Sequence, residues 1–193
     1  MAKSPLVHAR NRAGIGLQRL RLSLGSGAPI DASALIESTP TDPNVLFLCY
    51  GNICRSPFGE RYLQRTLAEH DTEDISVDSA GLKATDGRKS PENAVSAASE
   101  FDVDLSGHRS KPVTEQQLQW ADTVFVMDLL NYYYLRRDFA DYGETVFFLG
   151  ALADGDSYEI PDPYGDGVSR YRMLYGELTT AVDRFVDHID SQR

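Results

Sequence analysis

The sequence has very little cysteine: Cys49 and Cys54 are the only two in 193 residues. A pair five apart inside one expected turn makes a poor framework for a secreted fold, so the thiols are read as reduced and the location as cytoplasmic. Long apolar runs are missing too. No stretch approaches the roughly 20 residues of a membrane span, and no signal-peptide core is found, so stable membrane insertion is not expected. Basic charge is in short supply, with 19 Lys and Arg against 29 Asp and Glu and a net charge of -10. That balance argues against nucleic acid or an anionic bilayer as partner of the body of the protein. The histidines His8, His70, His108 and His188 show no metal-ligand spacing with one another or with a cysteine. They are read as solvated or locally hydrogen-bonded, and no metal or other cofactor is expected.

What is present suits one ordinary domain. Apolar residues make up 41% and aromatics 10% of the chain, enough to bury a core without staples. The charge is uneven: residues 1–43 carry five basic and three acidic groups, net +2, and the remainder carries -12. Within 1–43, "LGSGAPIDASALIESTPTDPN" reads as a linker, and the Arg-rich "ARNRAGIGLQRLRLSL" before it fits neither helical nor strand periodicity cleanly. The expected organisation is therefore a flexible N-terminal extension over 1–43 and a domain over 44–193.

From Asn44 onward short β-rich runs alternate with helical stretches. "VLFLCY", "ISVDSA", "TVFVMD" and "TVFFLG" read as strands, and "SPFGERYLQRTLAEH" as a helix with Phe58, Tyr62, Leu63 and Leu67 on one face. "SPENAVSAASEF" reads as a capped helix, "TEQQLQWA" and "LLNYYYLRRDF" as two more, and residues 168–188 as a long terminal one. Alternation of this kind predicts an α/β fold, a doubly wound four-stranded parallel sheet with helices on both faces. Asp128 and Asn131 read as capping residues after the third strand, and Tyr132, Tyr133 and Tyr134 as core plus rim.

The chemistry is concentrated in "VLFLCYGNICRSP", residues 45–57. Ligands of such sheets bind beyond the carboxyl ends of the strands, and Cys49 stands at one of those ends. Backbone N–H groups of a tight turn entering a helix converge on one point and bind phosphate-like anions. Gly51 removes a side chain from the path of the anion, and Asn52 tolerates the left-handed conformation the turn needs. Arg55 offers two parallel N–H donors to two phosphoryl oxygens. A thiol in that field is expected as the thiolate, which is the nucleophile, with Ser56 donating a hydrogen bond to it. Cysteine and arginine at this spacing are common by chance, and a buried cysteine is usually a small apolar residue. The preceding strand, the Gly-Asn turn and the Ser-Pro helix start make the combination specific: a phosphate trap with a nucleophile at its base.

On these residues the sequence resembles the low-molecular-weight protein tyrosine phosphatase family, bacterial type. "CYGNICRSP" matches the family's phosphate loop, "DSAGL" (78–82) its second-strand loop and "LSGHRS" (105–110) the segment before the third strand. "MDLLN" (127–131) matches the end of that strand and "PDPYG" (161–165) the acid loop. The resemblance implies a phosphocysteine on Cys49, with Arg55 and the loop residues Tyr50, Gly51, Asn52, Ile53, Cys54 and Ser56 around the phosphate. It implies Asp162 as the acid that protonates the leaving phenolate and then takes a proton from the attacking water. Ser79 would pin Asn52, and Tyr164 would line the aromatic slot. Cys54 is either a loop filler or the partner of Cys49 in the family's reversible disulfide. The implied partner is a tyrosine-phosphorylated protein, such as a bacterial tyrosine kinase or a polysaccharide-synthesis protein.

Three rivals are set against that reading. Arginine-phosphate hydrolysis goes, in the related branch, with a threonine where this chain has Ile53, and an aliphatic group cannot hydrogen-bond a guanidinium. Thioredoxin-coupled arsenate reduction needs cysteines well downstream, and there is none after Cys54. A phosphotyrosine-binding module gives no reason for Cys49 and Asp162 together. Substrate preference is the open point: Tyr50 is bulkier than the family's usual residue, and Lys83, Ala84, Thr85 and Asp86 supply no evident aromatic wall.

Overall fold

The computed structural model describes residues 38–70, 74–142, 145–154 and 157–193, together with Ile15, Gly16 and Leu20. Most of the expected flexible extension lies outside the described residues. Strands β1 (Val45–Cys49), β2 (Val77–Gly81), β3 (Thr123–Val126) and β4 (Val146–Phe148) form one parallel sheet in the order β2-β1-β3-β4. Helices α1 (Arg55–Glu69), α2 (Glu92–Ser99), α3 (Glu115–Trp120), α4 (Leu129–Asp138) and α5 (Val168–Ser191) cover it. The doubly wound sheet expected from the alternation is the one that forms.

All five residues of β1 are buried, which is why the strand reads as a continuous apolar run. Val45, Phe47 and Cys49 face one core with α1, α2 and α5, and Leu46 and Leu48 face the other with α3 and α4. On the first face the Phe58 and Tyr175 rings stack with centroids 3.9 Å apart. Tyr171, Leu174, Tyr175, Leu178, Val182 and Phe185 of α5 are all buried, and each contributes roughly 1.5–3 kcal/mol of apolar burial. Their helical spacing fixes α5 across α1 and α2.

Caps decide the helix starts. Asp128 accepts from Asn131 N at 2.8 Å and starts α4, while α3 begins with a full capping box between Thr114 and Gln117. Asn131 itself caps nothing, since its side-chain amide is buried with no partner among the described residues. The cap expected for α2 is also missing: Pro91 is its N-cap, no side chain caps it, and Ser90 Oγ is buried without a partner among the described residues. Tyr132 and Tyr134 are buried in the core and Tyr133 is half-buried at its rim.

The order of the strands positions the site. From β1 the chain moves outward to β2, then returns to the other side of β1 for β3. The carboxyl end of β1 is thus the point where the connections diverge, and Cys49 lies there with the loop to α1 opening above it.

Candidate active site

The loop from Tyr50 to Cys54 runs directly into α1, whose N-cap Cys54 provides no side-chain cap. Its first-turn N–H groups have no intrahelical acceptor and face the loop, the arrangement that holds an anion. Cys49 is buried, its Sγ 3.0 Å from Ser56 Oγ and accepting from Asn52 N at 3.2 Å. The two contacts hold the sulfur in place at the base of the loop.

Asn52 has a φ of 51°, the left-handed conformation expected for it. It is buried and held on every side. Its Oδ1 accepts from Lys111 N at 3.0 Å, which fixes the amide orientation because a backbone N–H only donates. Its Nδ2 donates to Ser56 Oγ at 3.0 Å and to Ser79 Oγ at 2.8 Å. The proton of Ser79 goes to Glu60 Oε2 at 2.6 Å, leaving the Ser56 proton for the sulfur or, at 3.3 Å, for Ala80 O. Burial, partly offset by the Ser79 hydrogen bond, raises the pKa of Glu60 above the usual carboxylate value.

His108 supplies one more restraint, donating from Nε2 to Asn52 O at 2.7 Å. It is buried, so of the two expectations for the histidines, solvated or locally hydrogen-bonded, His108 meets the second, and its ring braces the loop. Burial lowers its pKa, partly offset by the hydrogen bond to Asn52. An unfolded histidine protonates below about pH 6.5 while this one stays neutral, so its contribution is present above that value and is lost as pH falls through the depressed folded value. Denaturation midpoints should therefore fall between about pH 7.5 and about pH 5.5 more steeply in wild type than in His108→Gln. Equal slopes would refute the assignment.

Close approach of the phosphate loop explains the glycine that ends β2. A Cβ on Gly81 would lie 2.7 Å from Ala84 Cβ and 2.9 Å from both Asn52 N and Gly51 C. At Gly51 a Cβ would meet only Ile53, at 3.6 Å, so protein packing does not demand glycine there. Gly81→Ala should push the loop backbone and cost on the order of 10²-fold in kcat/KM, since misplacement by about 1 Å carries that penalty. Paired kinetics and denaturation of the variant check this, and unchanged kcat/KM would show the loop indifferent to Gly81.

Arg55 is 1% exposed. Its Nη1 donates to Asp128 Oδ2 at 2.5 Å and to Ile160 O at 2.9 Å, and its Nη2 lies 3.3 Å from Asp162 Oδ1. Burial opposes its charge, but Asp128, Asp162 and Cys49 outweigh that and raise its pKa. Nε is buried with no partner among the described residues. With Nη1 tied back, Nε and Nη2 remain as a parallel pair of donors for two oxygens of a tetrahedral anion. Asp128 was expected only as a cap; that its second oxygen anchors Arg55 is visible only in the structure.

These groups open into a cavity of about 170 Å³ lined by Cys49, Tyr50, Gly51, Ile53, Cys54, Arg55, Arg88, Asp162 and Tyr164. Every residue expected to touch the phosphate except the buried Asn52 and Ser56 lines it, and those two lie behind the wall. Among the described residues no group of three or more His, Cys, Asp or Glu side chains is disposed to hold a metal ion.

The model of the family described as low molecular weight phosphotyrosine protein phosphatase matches residues 44–193. The chain belongs to this family. It is 30% identical over 150 residues to the protein-arginine-phosphatase of Bacillus subtilis (strain 168), covering 78% of this chain and 99% of that protein. It is 32% identical over 145 residues to the probable low molecular weight protein-tyrosine-phosphatase AmsI of Erwinia amylovora, covering 75% and 95%. A solved YwlE arginine phosphatase, a cysteine-to-serine mutant with a phosphorylated active-site serine, superposes with a TM-score of 0.70 at 29% identity, covering 78% and 97%.

Within this phosphatase the mouth of the cavity is aromatic and basic. Tyr50 is half-buried and meets Tyr134 edge-on at 5.8 Å, with Lys83 Nζ 5.0 Å from the Tyr134 centroid. On the acid-loop side Tyr164 is 57% exposed, and Arg88 lies over its ring and donates to its hydroxyl at 3.3 Å. Arg88, not residues 83–86, is what the second-strand loop gives to the cavity. Cys54 is a free thiol whose pKa is pushed up to about 12 by burial, and its Sγ lies 3.7 Å from Tyr171 Oη.

Proposed function

We propose that the protein hydrolyses phosphotyrosine in proteins through two in-line displacements at phosphorus. Cys49 Sγ attacks; the S–P bond forms as the bond from phosphorus to the phenolic oxygen breaks, and Asp162 gives its proton to that oxygen. Water then attacks phosphorus, the S–P bond breaks, and Asp162 takes the proton. Arg55 Nε and Nη2 and the N–H groups of the loop hold the equatorial oxygens, so most of the catalysis is positioning and electrostatic stabilisation. Asn52, Ser79 and His108 act through the loop they brace.

The observation that carries tyrosine over arginine is the lining of the cavity. Ile53 is buried in it and offers no acceptor to a guanidinium, while Tyr50 and Tyr164 provide ring surface for a phenyl group. The substrate is a tyrosine-phosphorylated protein, with a bacterial tyrosine kinase or a polysaccharide-synthesis protein as the class to test first. The cytoplasm is the compartment proposed, where both thiols stay reduced; among the described residues no helix is long and apolar enough to cross a membrane.

The test is phosphate release from matched phosphotyrosine, phosphoarginine and phosphoserine peptides by the reduced full chain in the presence of a chelator. Turnover confined to phosphotyrosine is expected. Faster release from phosphoarginine would reassign the substrate and leave the phosphate chemistry standing.

A further inference from the structure

We infer that the arginine-rich segment around Ile15 is an intramolecular strap that docks on the outer side of the acid loop. Ile15 is helical, half-buried and packed against the core on the α4 side of the sheet. It lines a cavity of about 470 Å³ together with Asp128, Leu129, Leu130, Glu159 and Pro161. The occupant is therefore part of this chain.

Charge selects the same surface. The first 30 residues contain no acid and carry Lys3, Arg10, Arg12, Arg19 and Arg21, four of them within six residues of Ile15. The docking surface is acidic and continues past Glu159 and Ser157, which also line a neighbouring cavity of about 520 Å³. That second cavity adds Glu177, and Asp154 already paired with Arg184, with Met173 as an apolar floor that is 49% exposed. A segment with an isoleucine between pairs of arginines complements an apolar seat flanked by carboxylates.

The seat lies where it can restrain the catalytic arginine and acid. Asp128 pairs with Arg55, and Glu159 Oε2 accepts from Leu129 N at 3.0 Å, tying the acid-loop stem to the start of α4. Ile160 O accepts from Arg55, and Pro161 precedes Asp162. A side chain seated between α4 and Pro161 limits the outward travel of that loop.

Hydrogen exchange of the full chain without substrate tests this, and its readout is independent of whether phosphotyrosine is the substrate. Amides in 128–132 and 157–162 should exchange several-fold faster in Ile15→Asp, and also when Arg10, Arg12, Arg19 and Arg21 are changed together to Gln. High salt should do the same to wild type, because the Debye length shrinks to about 3 Å at 1 M. Exchange in β1 and β2 serves as the control and should not move. Unchanged exchange at both segments in both variants would overturn the strap. Cross-links from residues 8–24 to the acid loop should form within one chain in a mixture of isotopically heavy and light protein. Links only between heavy and light chains would overturn it in favour of a contact between copies.

Discussion

Cys49→Ser should abolish turnover while leaving phosphate binding intact. The loss expected is on the order of 10⁴-fold or more, the scale seen when a covalent nucleophile is removed. The reasoning starts from the two hydrogen bonds at Cys49 Sγ, from Asn52 N at 3.2 Å and with Ser56 Oγ at 3.0 Å. A serine oxygen keeps both, so the loop stays braced by Asn52, Ser79 and His108 and still presents its N–H groups. What disappears is the thiol nucleophile, and the serine alcohol that replaces it is the weaker nucleophile. Arg55 keeps its anchor on Asp128, so competition by inorganic phosphate, measured by displacement of a labelled phosphotyrosine peptide, should persist in the variant. Turnover near the wild-type rate would remove Cys49 from the mechanism. Loss of peptide binding together with turnover would mean that the sulfur, rather than the loop, holds the phosphate.

How much of this site is visible in the amino-acid order depends on the distance over which each residue acts. Cys49, Asn52, Arg55 and Ser56 lie within one strand end and one helix start, so their spacing alone specifies the anion loop, and the left-handed Asn52 follows from turn chemistry. The sheet was legible for a similar reason, since the fully buried β1 and the amphipathic α5 each carry their period in a continuous stretch. The partner of His108 was not legible because it lies 56 residues away, brought close by the segment at Lys111 to Val113 running beside Gly81. Asp128 was half legible: one oxygen caps α4 locally, while the other reaches Arg55 across 73 residues. Glu60 and Arg88 carried no local signal, because a charged residue on a helix or in a loop is usually solvated. The missing cap at Ser90 is the reverse case, a local pattern overridden by the path of the chain into α2 through Pro91.

Asp162→Asn should separate the two halves of the reaction, with its largest effect on kcat/KM for phosphotyrosine. That parameter covers binding and the first P–O cleavage only, so it reports the step in which a phenolate with a parent pKa of about 10 leaves. Loss of the acid should lower it by about 10² to 10⁴-fold, the usual contribution of a positioned proton donor. For an aryl phosphate whose leaving group is a much weaker base, the same substitution should cost far less, since little protonation is needed as the bond breaks. Asparagine is nearly isosteric, Asp162 is 45% exposed, and Arg55 retains its contact with Asp128, so neither the fold nor the arginine is at risk. The variant also lacks the group that takes the proton from water in the second displacement. With a good leaving group it should therefore form the phosphocysteine readily and hydrolyse it slowly, giving a burst of one phenol per enzyme before a slow steady rate. Equal losses in kcat/KM for good and poor leaving groups would exclude Asp162 as the acid, and a full loss without any burst would place its action before chemistry, in holding Arg55 Nη2 for the incoming phosphate.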